Sequence, residues 1–170
     1  MDTLLQMFAA QPAALRPFLD FDAAARLYTL TPDADIALLP FDEAIQDAMH
    51  RRFGTGDWPP SQGMLLSTTD QAFAAECSRA APLIYVECGA GSGGHFQSAA
   101  GWQMGRLAMS PVSLDLTGAA AARPRSLWPV NAALRFLGVR CDLDDEATAF
   151  GLAGLAANGD IHARGWPLRP

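Results

Sequence analysis

The chain has no lysine, only three cysteines and no long apolar run, and each shortage excludes a class of protein. All 12 cations are arginine against 18 carboxylates, so the formal charge is -6 and nucleic acid is not an expected partner. No stretch approaches the roughly 18 apolar residues of a membrane span. Half of the 170 residues are apolar, which is enough for one core, and a single domain over 1–170 is therefore expected.

The cysteines and acidic residues show no pattern typical of a disulfide framework or a metal site. Cys77, Cys88 and Cys141 lack C-x-x-C spacing, so a reducing cytoplasm is the expected location. The start of the chain has no basic segment before an apolar run, which argues against a secretory signal. The carboxylates of 142–146 lack the glycine and the distal glutamate of a calcium loop, so no metal is expected.

Local patterns predict a mixture of helices and strands without the regular alternation of a doubly wound fold. The expected helices cover 3–19 with breaks at its prolines, 43–53 after an Asp42 cap, 69–79 and 129–139. The expected strands cover 26–30, 36–39, 64–67 and parts of 83–116. The predicted fold is one α+β domain with a central antiparallel or mixed sheet flanked by helices.

The stretch GAGSGG at 89–94 allows a cofactor hypothesis. It follows an apolar strand and satisfies G-x-G-x-x-G, the pattern of a dinucleotide loop between a strand and a helix. With Glu87 before the loop and Asp115 ending a later strand, the segment also resembles the first motif of S-adenosylmethionine-dependent methyltransferases. On this interpretation S-adenosylmethionine or a dinucleotide would contact Glu87, Gly89, Gly91, Gly94 and Asp115.

The same glycines are also consistent with a hairpin connection, which is the interpretation we favour. A helix after the loop would contain Gly101 and Gly105 at a cost of roughly 1 kcal/mol each. The residues from Phe96 to Trp102 alternate as a strand does, and Met104-Gly105 suits a tight turn. Three consecutive strands within 83–109 are therefore expected.

The second half of the chain resembles a group of small bacterial proteins that are similar to toxin-immunity proteins. The shared pattern has a Y-x-E, a glycine pair, Q-x-A-A, W-x-x-G, a helix ending in L-G-V and a later D-E and G-L. The matching residues are Tyr85-Val86-Glu87, Gly93-Gly94, Gln97-Ser98-Ala99-Ala100, Trp102, Gly105, Leu137-Gly138-Val139, Asp145-Glu146 and Gly151-Leu152. The resemblance implies a protein that binds and neutralises a toxin delivered between bacterial cells.

An acidic surface is the feature most relevant to such a partner. Residues 20–47 contain seven carboxylates and one arginine, which would speed the encounter with a basic toxin. Trp58 lies on a glycine- and proline-rich loop and is either a lid over the core or a recognition residue. A homodimer through an exposed sheet edge is a third hypothesis. The predicted partner-binding residues are Asp33, Asp35, Asp42, Glu43, Trp58 and Ser92.

No arrangement of nucleophile and base stands out, so an enzyme is not expected. His50, His95 and His162 show no triad spacing, and Ser92 lacks the G-x-S-x-G form. His95, directly after the glycines, is the best single catalytic candidate. We expect it to be a polar strand residue that faces solvent.

Overall fold

The computed structural model describes residues 3–29, 35–59, 63–91, 94–115, 124 and 127–139. Its centre is a six-stranded sheet in the order β2-β3-β1-β4-β5-β6, in which every neighbouring pair is antiparallel. The strands are β1 Thr3–Ala10, β2 Tyr28–Thr29, β3 Ala37–Pro40, β4 Leu83–Gly91, β5 Gly94–Gln103 and β6 Arg106–Asp115. The predicted α+β domain with an antiparallel sheet is confirmed.

Helices cover both faces of this sheet. They are α1 Pro12–Leu15, continued by a 3-10 turn Arg16–Asp20, then α2 Glu43–Phe53, α3 Thr68–Cys77 and α4 Pro129–Phe136. The first three helices and the 3-10 turn pack on one face, and α4 packs on the other. None of the described helices is long and apolar enough to cross a membrane.

The two longest helices begin and end where their sequences predict. The side chain of Asp42 accepts a hydrogen bond from the backbone of Ile45, which caps α2, and Gly54 ends α2 at φ 85°. Helix α3 starts with a capping box, in which Ser67 and Asp70 each bond the other's backbone N–H. The predicted helices at 43–53 and 69–79 are confirmed to within two residues.

Two predictions from local pattern are wrong. Residues 3–10 form strand β1 rather than a helix, because β1 pairs with both β3 and β4 at the middle of the sheet. Its residues from Met7 to Ala10 are buried on both faces, so they read as a continuous apolar run without strand alternation. Residues 64–67 form no strand, and Met64 and Leu66 are instead buried in the core.

Aromatic rings fill the core on the face of α1, α2 and α3. The ring of Phe8 lies 4.7 Å from Phe18, 4.9 Å from Phe41 and 5.2 Å from Tyr85, centroid to centroid. On the opposite face, aliphatic side chains of α4 such as Val130 and Leu134 cover the same strands. Residues that alternate along β1 and β4 thus enter different cores, which fixes the register of the central strands.

The second half of the sheet is a three-strand meander, as the hairpin interpretation predicts. Strands β4 and β5 pair down to Gly91 and Gly94, and β5 joins β6 through Met104 at φ 54° and Gly105 at φ 81°. Two consecutive positive φ values are those of a type I′ turn, whose twist suits a hairpin. The backbone N–H of Met104 donates to the carbonyl of Ser78, which holds this turn against the end of α3.

Strand β6 is an edge of the sheet in the described part of the chain, and it is irregular. Its pairing with β5 shifts register on both sides of Gly101, and it contains Pro111. Bulges and proline on an edge strand discourage pairing with another chain. The homodimer hypothesis therefore gains no support from the shape of this edge.

Candidate functional site

A buried carboxylate joins α2 to the start of α3. Asp70 is fully buried, and its Oδ2 accepts hydrogen bonds from the backbone N–H of Ser67 at 2.9 Å, the Ser67 hydroxyl at 2.9 Å and Gln46 Nε2 at 3.0 Å. Its Oδ1 lies 3.0 Å from Nε2 of His50. Since Gln46 and His50 are one turn apart on α2, Asp70 holds one stripe of that helix against α3.

His50, Ser67 and Asp70 are the residue types of a catalytic triad, but their connections differ from those of one. The same His50 nitrogen, Nε2, lies 3.1 Å from Ser67 Oγ and 3.0 Å from Asp70 Oδ1. A triad requires the aspartate on one ring nitrogen and the nucleophile on the other. Ser67 is also fully buried and donates its hydroxyl to Asp70, so this cluster is a helix cap and an inter-helix brace.

A second buried polar network lies on the sheet beside the first. The Tyr85 hydroxyl donates to Glu87 Oε2 at 2.7 Å and accepts from Gln6 Nε2 at 2.7 Å. Glu87 Oε2 also accepts the backbone N–H of Leu65 at 3.0 Å. Glu87 is 1% exposed, and its bond to Leu65 ties the 63–66 segment to the middle of β4.

Burial dominates the ionisation of this network. Loss of solvent raises the pKa of the Glu87 carboxyl above its ordinary value, although hydrogen bonds from the Leu65 N–H and from Tyr85 act in the opposite direction. Burial and then the nearby Glu87 charge raise the pKa of Tyr85 well above its ordinary value. Tyr85 is therefore a hydrogen-bond donor to Glu87 throughout the physiological range.

The raised pKa of Glu87 predicts a specific dependence of stability on pH. Its contribution is fully present below its ordinary value of 4.5 and is lost as pH rises through the higher folded value. A Glu87→Gln variant cannot ionise and lacks this loss. The parent chain is thus expected to lose stability relative to the variant between about pH 4 and about pH 8. The difference in the free energy of unfolding, variant minus parent, is expected to grow by about 1.4 kcal/mol for each unit by which folding raises the pKa of Glu87. Urea titrations across that range measure it, and a difference that stays flat or falls would contradict the expectation.

The loop 54–59 is tied to the start of α3 and holds Trp58 outside the core. The Asp57 backbone accepts from Thr68 N at 2.8 Å and donates to Thr68 Oγ1 at 2.9 Å, while Thr69 Oγ1 donates to the Gly54 carbonyl at 2.7 Å. Trp58 is 47% exposed, and its ring packs edge-on against His50 with centroids 6.0 Å apart. It is therefore a surface residue with a fixed backbone.

The predicted partner-binding residues fall into two groups. Asp33 and Ser92 lie outside the described residues. Asp35, Asp42 and Glu43 are exposed. Asp42 and Glu43 lie at the beginning of α2, whereas Trp58 lies on the loop after α2 and packs against His50 near the other end of that helix.

The residues of the cofactor hypothesis are distributed along three antiparallel strands. Glu87 is a buried member of the Tyr85 network, and Gly91 pairs with Gly94 at the end of the β4–β5 hairpin. Gly89 pairs with Phe96, whose ring occupies the space that a Cβ would take. Asp115 is the exposed last residue of β6. The described chain thus continues from this loop into strand β5, whereas the dinucleotide pattern requires a helix there.

Several residues of the immunity-protein resemblance have structural partners here. Tyr85 and Glu87 share the buried hydrogen bond, and Gln97 Oε1 accepts the backbone N–H of Val130 at 3.3 Å, at the start of α4. Trp102 is 2% exposed in the core. These contacts lie within the sheet and between the sheet and α4, and the later Asp145-Glu146 and Gly151-Leu152 lie outside the described residues.

The remaining reactive groups show no arrangement for catalysis in the described part of the chain. Burial raises the pKa of both Cys77 and Cys88 to about 12, with Glu76 and Glu87 respectively adding a repulsive charge. Such thiols are protonated and unreactive. His95 lies in β5 opposite Ala90, and its side chain is outside the described part. No group of three or more metal-binding side chains occurs among the described residues.

Sequence reasoning missed the His50–Asp70 brace, although one signal for it was present. Ser67 and Asp70 have the S-x-x-D spacing of a capping box, which marks the start of α3. The contact of His50 with that box depends on the packing of two helices, which spacing along the chain does not reveal.

Comparisons with protein-family models, curated proteins and solved structures find no significant match to this chain.

Proposed function

We propose that this protein is a protein-binding module that neutralises a basic toxin, in the manner of an immunity protein. The observation that supports this role is a set of exposed carboxylates that form no ion pair within the described structure. Arg79 pairs with Glu76 on α3, and Asp70 is buried and hydrogen-bonded to His50. The acidic segment that includes Asp35, Asp42, Glu43 and Asp47 is left as a negative surface.

Helix capping accounts for only part of this charge. Asp42 caps α2 and Glu43 complements the helix dipole, so both stabilise the chain itself. Asp35 and Asp47 lie outside the first turn of any described helix, and both are exposed. Exposed carboxylates of one sign raise the association rate with a positively charged protein and have little effect on folding.

The test measures association kinetics with a defined protein. The immobilised chain captures partners from bacteria that carry it, and the captured protein is identified, purified and measured at low and high salt. We expect the captured protein to be basic. Its association with the triple variant Asp35→Asn, Glu43→Gln, Asp47→Asn is expected to be roughly tenfold slower than with the parent chain, and the association rate is expected to depend less on salt. Co-expression of the parent chain is expected to restore growth to cells that make the captured protein.

A single-site variant provides the matched control. Glu76→Gln also removes an exposed carboxylate, but Glu76 lies on α3 and is paired with Arg79 at 2.7 Å. It is expected to leave the association rate within a factor of about two, because rim charges act through the local potential. An acidic captured protein, equal rates for all three chains, or growth that the chain does not restore would refute the immunity role.

A further inference from the structure

Two exposed apolar side chains stand beside one stripe of α2. Trp58 packs against His50 at 6.0 Å between ring centroids, and the carbonyl of Leu65 lies 3.5 Å from Gln46 Nε2. Gln46 and His50 are four residues apart on α2, so their Cβ atoms are about 6 Å apart on one face. Trp58 is 47% exposed and Leu65 is 46% exposed.

Both side chains extend from backbones that hydrogen bonds hold in place. Trp58 follows Asp57, whose N–H and carbonyl both bond to Thr68. Leu65 donates its N–H to the buried Glu87 carboxylate at 3.0 Å. An apolar group presented by a rigid backbone loses little conformational entropy on binding, which is the property of an interface anchor.

Exposed carboxylates lie on α2 and on the 54–59 loop, the two segments that these residues extend from or contact. Asp57 precedes Trp58, and Glu43 and Asp47 lie on the same helix as Gln46, all exposed. Arg51 and Arg52 are nearby cations on α2, and the Arg52 guanidinium lies over the rings of Phe53 and Phe21 at 5.2 Å and 5.8 Å. Residues 42–57 include four carboxylates and two arginines, so the net charge of this segment is negative and favours a cationic occupant.

We infer that Trp58 and Leu65 are the apolar anchors of the partner-binding surface. The occupant is a segment of a partner protein that packs an aliphatic or aromatic side chain on them. An adjacent arginine or lysine of that segment pairs with Asp47, Glu43 or Asp57. This inference rests on the proposed function and assigns the site and chemistry of the contact.

Phe53 offers a matched control for Trp58. It is 51% exposed, but its ring already packs against Phe21 at 6.0 Å and Phe73 at 5.9 Å, beneath Arg52. Its exposed surface therefore belongs to an aromatic cluster with its own cation. Phe53→Ala removes a similar exposed area without touching the proposed anchors.

The experiment selects a random peptide library displayed on phage against the parent chain. Enriched peptides are expected to combine arginine or lysine with leucine, phenylalanine or tryptophan. A synthetic copy of one such peptide is then titrated by calorimetry into each variant, after thermal melts show that the variant is folded. Trp58→Ala and Leu65→Ala are each expected to weaken binding about tenfold or more, and Phe53→Ala by less than about twofold.

Acidic peptides, no enrichment, or a loss confined to Phe53→Ala would overturn the anchor assignment. The two proposals fail separately. If the captured basic protein binds Trp58→Ala and Leu65→Ala as tightly as the parent chain, the anchor assignment is refuted and the immunity role is not. If the peptides bind as expected but the chain does not restore growth to cells that make the captured protein, the immunity role is refuted and the anchor assignment is not.

Discussion

Replacing Asp70 with alanine is expected to lower the free energy of unfolding by about 3–5 kcal/mol, because it removes the acceptor of several buried hydrogen bonds at once. The Asp70 carboxylate is fully buried and accepts from Ser67, Gln46 and His50. Alanine leaves those donors without an acceptor inside the protein, and each such group costs about 1–3 kcal/mol. Urea denaturation followed by circular dichroism measures the loss.

Two further variants separate charge from hydrogen bonding. Asp70→Asn keeps one acceptor oxygen and is expected to cost roughly half as much as alanine, because it still satisfies part of the donor set. Asp47→Ala removes an exposed carboxylate from α2 and is expected to change stability by less than about 0.5 kcal/mol. If Asp70→Ala costs no more than Asp47→Ala, the buried brace does not stabilise the fold.

The Asp70 brace also connects stability to the proposed binding surface. Asp70 fixes His50, against which Trp58 packs, and it completes the cap from which Thr68 holds the 54–59 loop. The buried Asp70 thus positions the His50 ring and, through the start of α3, the backbone of the 54–59 loop. The chemistry of Asp70 is hydrogen bonding within the protein.

Local signals in the sequence were sufficient where an element is specified by its own residues. The Asp42 cap and Gly54 stop predict α2, and Met104-Gly105 predicts the β5–β6 turn. For the glycine-rich segment, the cost of Gly101 in a helix correctly favours a strand. Trp58 could be placed on a loop, but its exposure could not be predicted because it depends on contacts with α2 and α3.

Non-local contacts account for the errors. Strand β1 is defined by its pairing with β3 and β4, which are about 30 and 80 residues away in the chain, and a strand buried on both faces has no alternation to detect. The apolar run 64–67 resembles a strand, although Glu87 holds its backbone over the sheet through Leu65. The Y-x-E motif suggested a family pattern, but only the fold shows that Glu87 is buried.

Gly89 is the second position at which a small change is expected to have a large effect. A Cβ there would overlap the ring of Phe96, its partner on β5. Gly89→Ala is therefore expected to destabilise the chain by about 1–3 kcal/mol, since the ring must leave its place on the strand. This requirement explains one glycine of the GAGSGG segment by packing within the hairpin. Urea midpoints at constant m-value measure the change.

A double-mutant cycle distinguishes this packing from a general need for glycine. In a Phe96→Ala background the ring is absent, so Gly89→Ala is expected to be neutral or to stabilise by up to about 1 kcal/mol through reduced chain entropy. Gly101→Ala is the matched control, because its Cβ would meet Phe136 at 2.9 Å and Met109 at 3.1 Å. Phe96→Ala should not rescue it. An equal cost for Gly89→Ala in both backgrounds would show that the strand backbone, and not the Phe96 ring, requires glycine at this position.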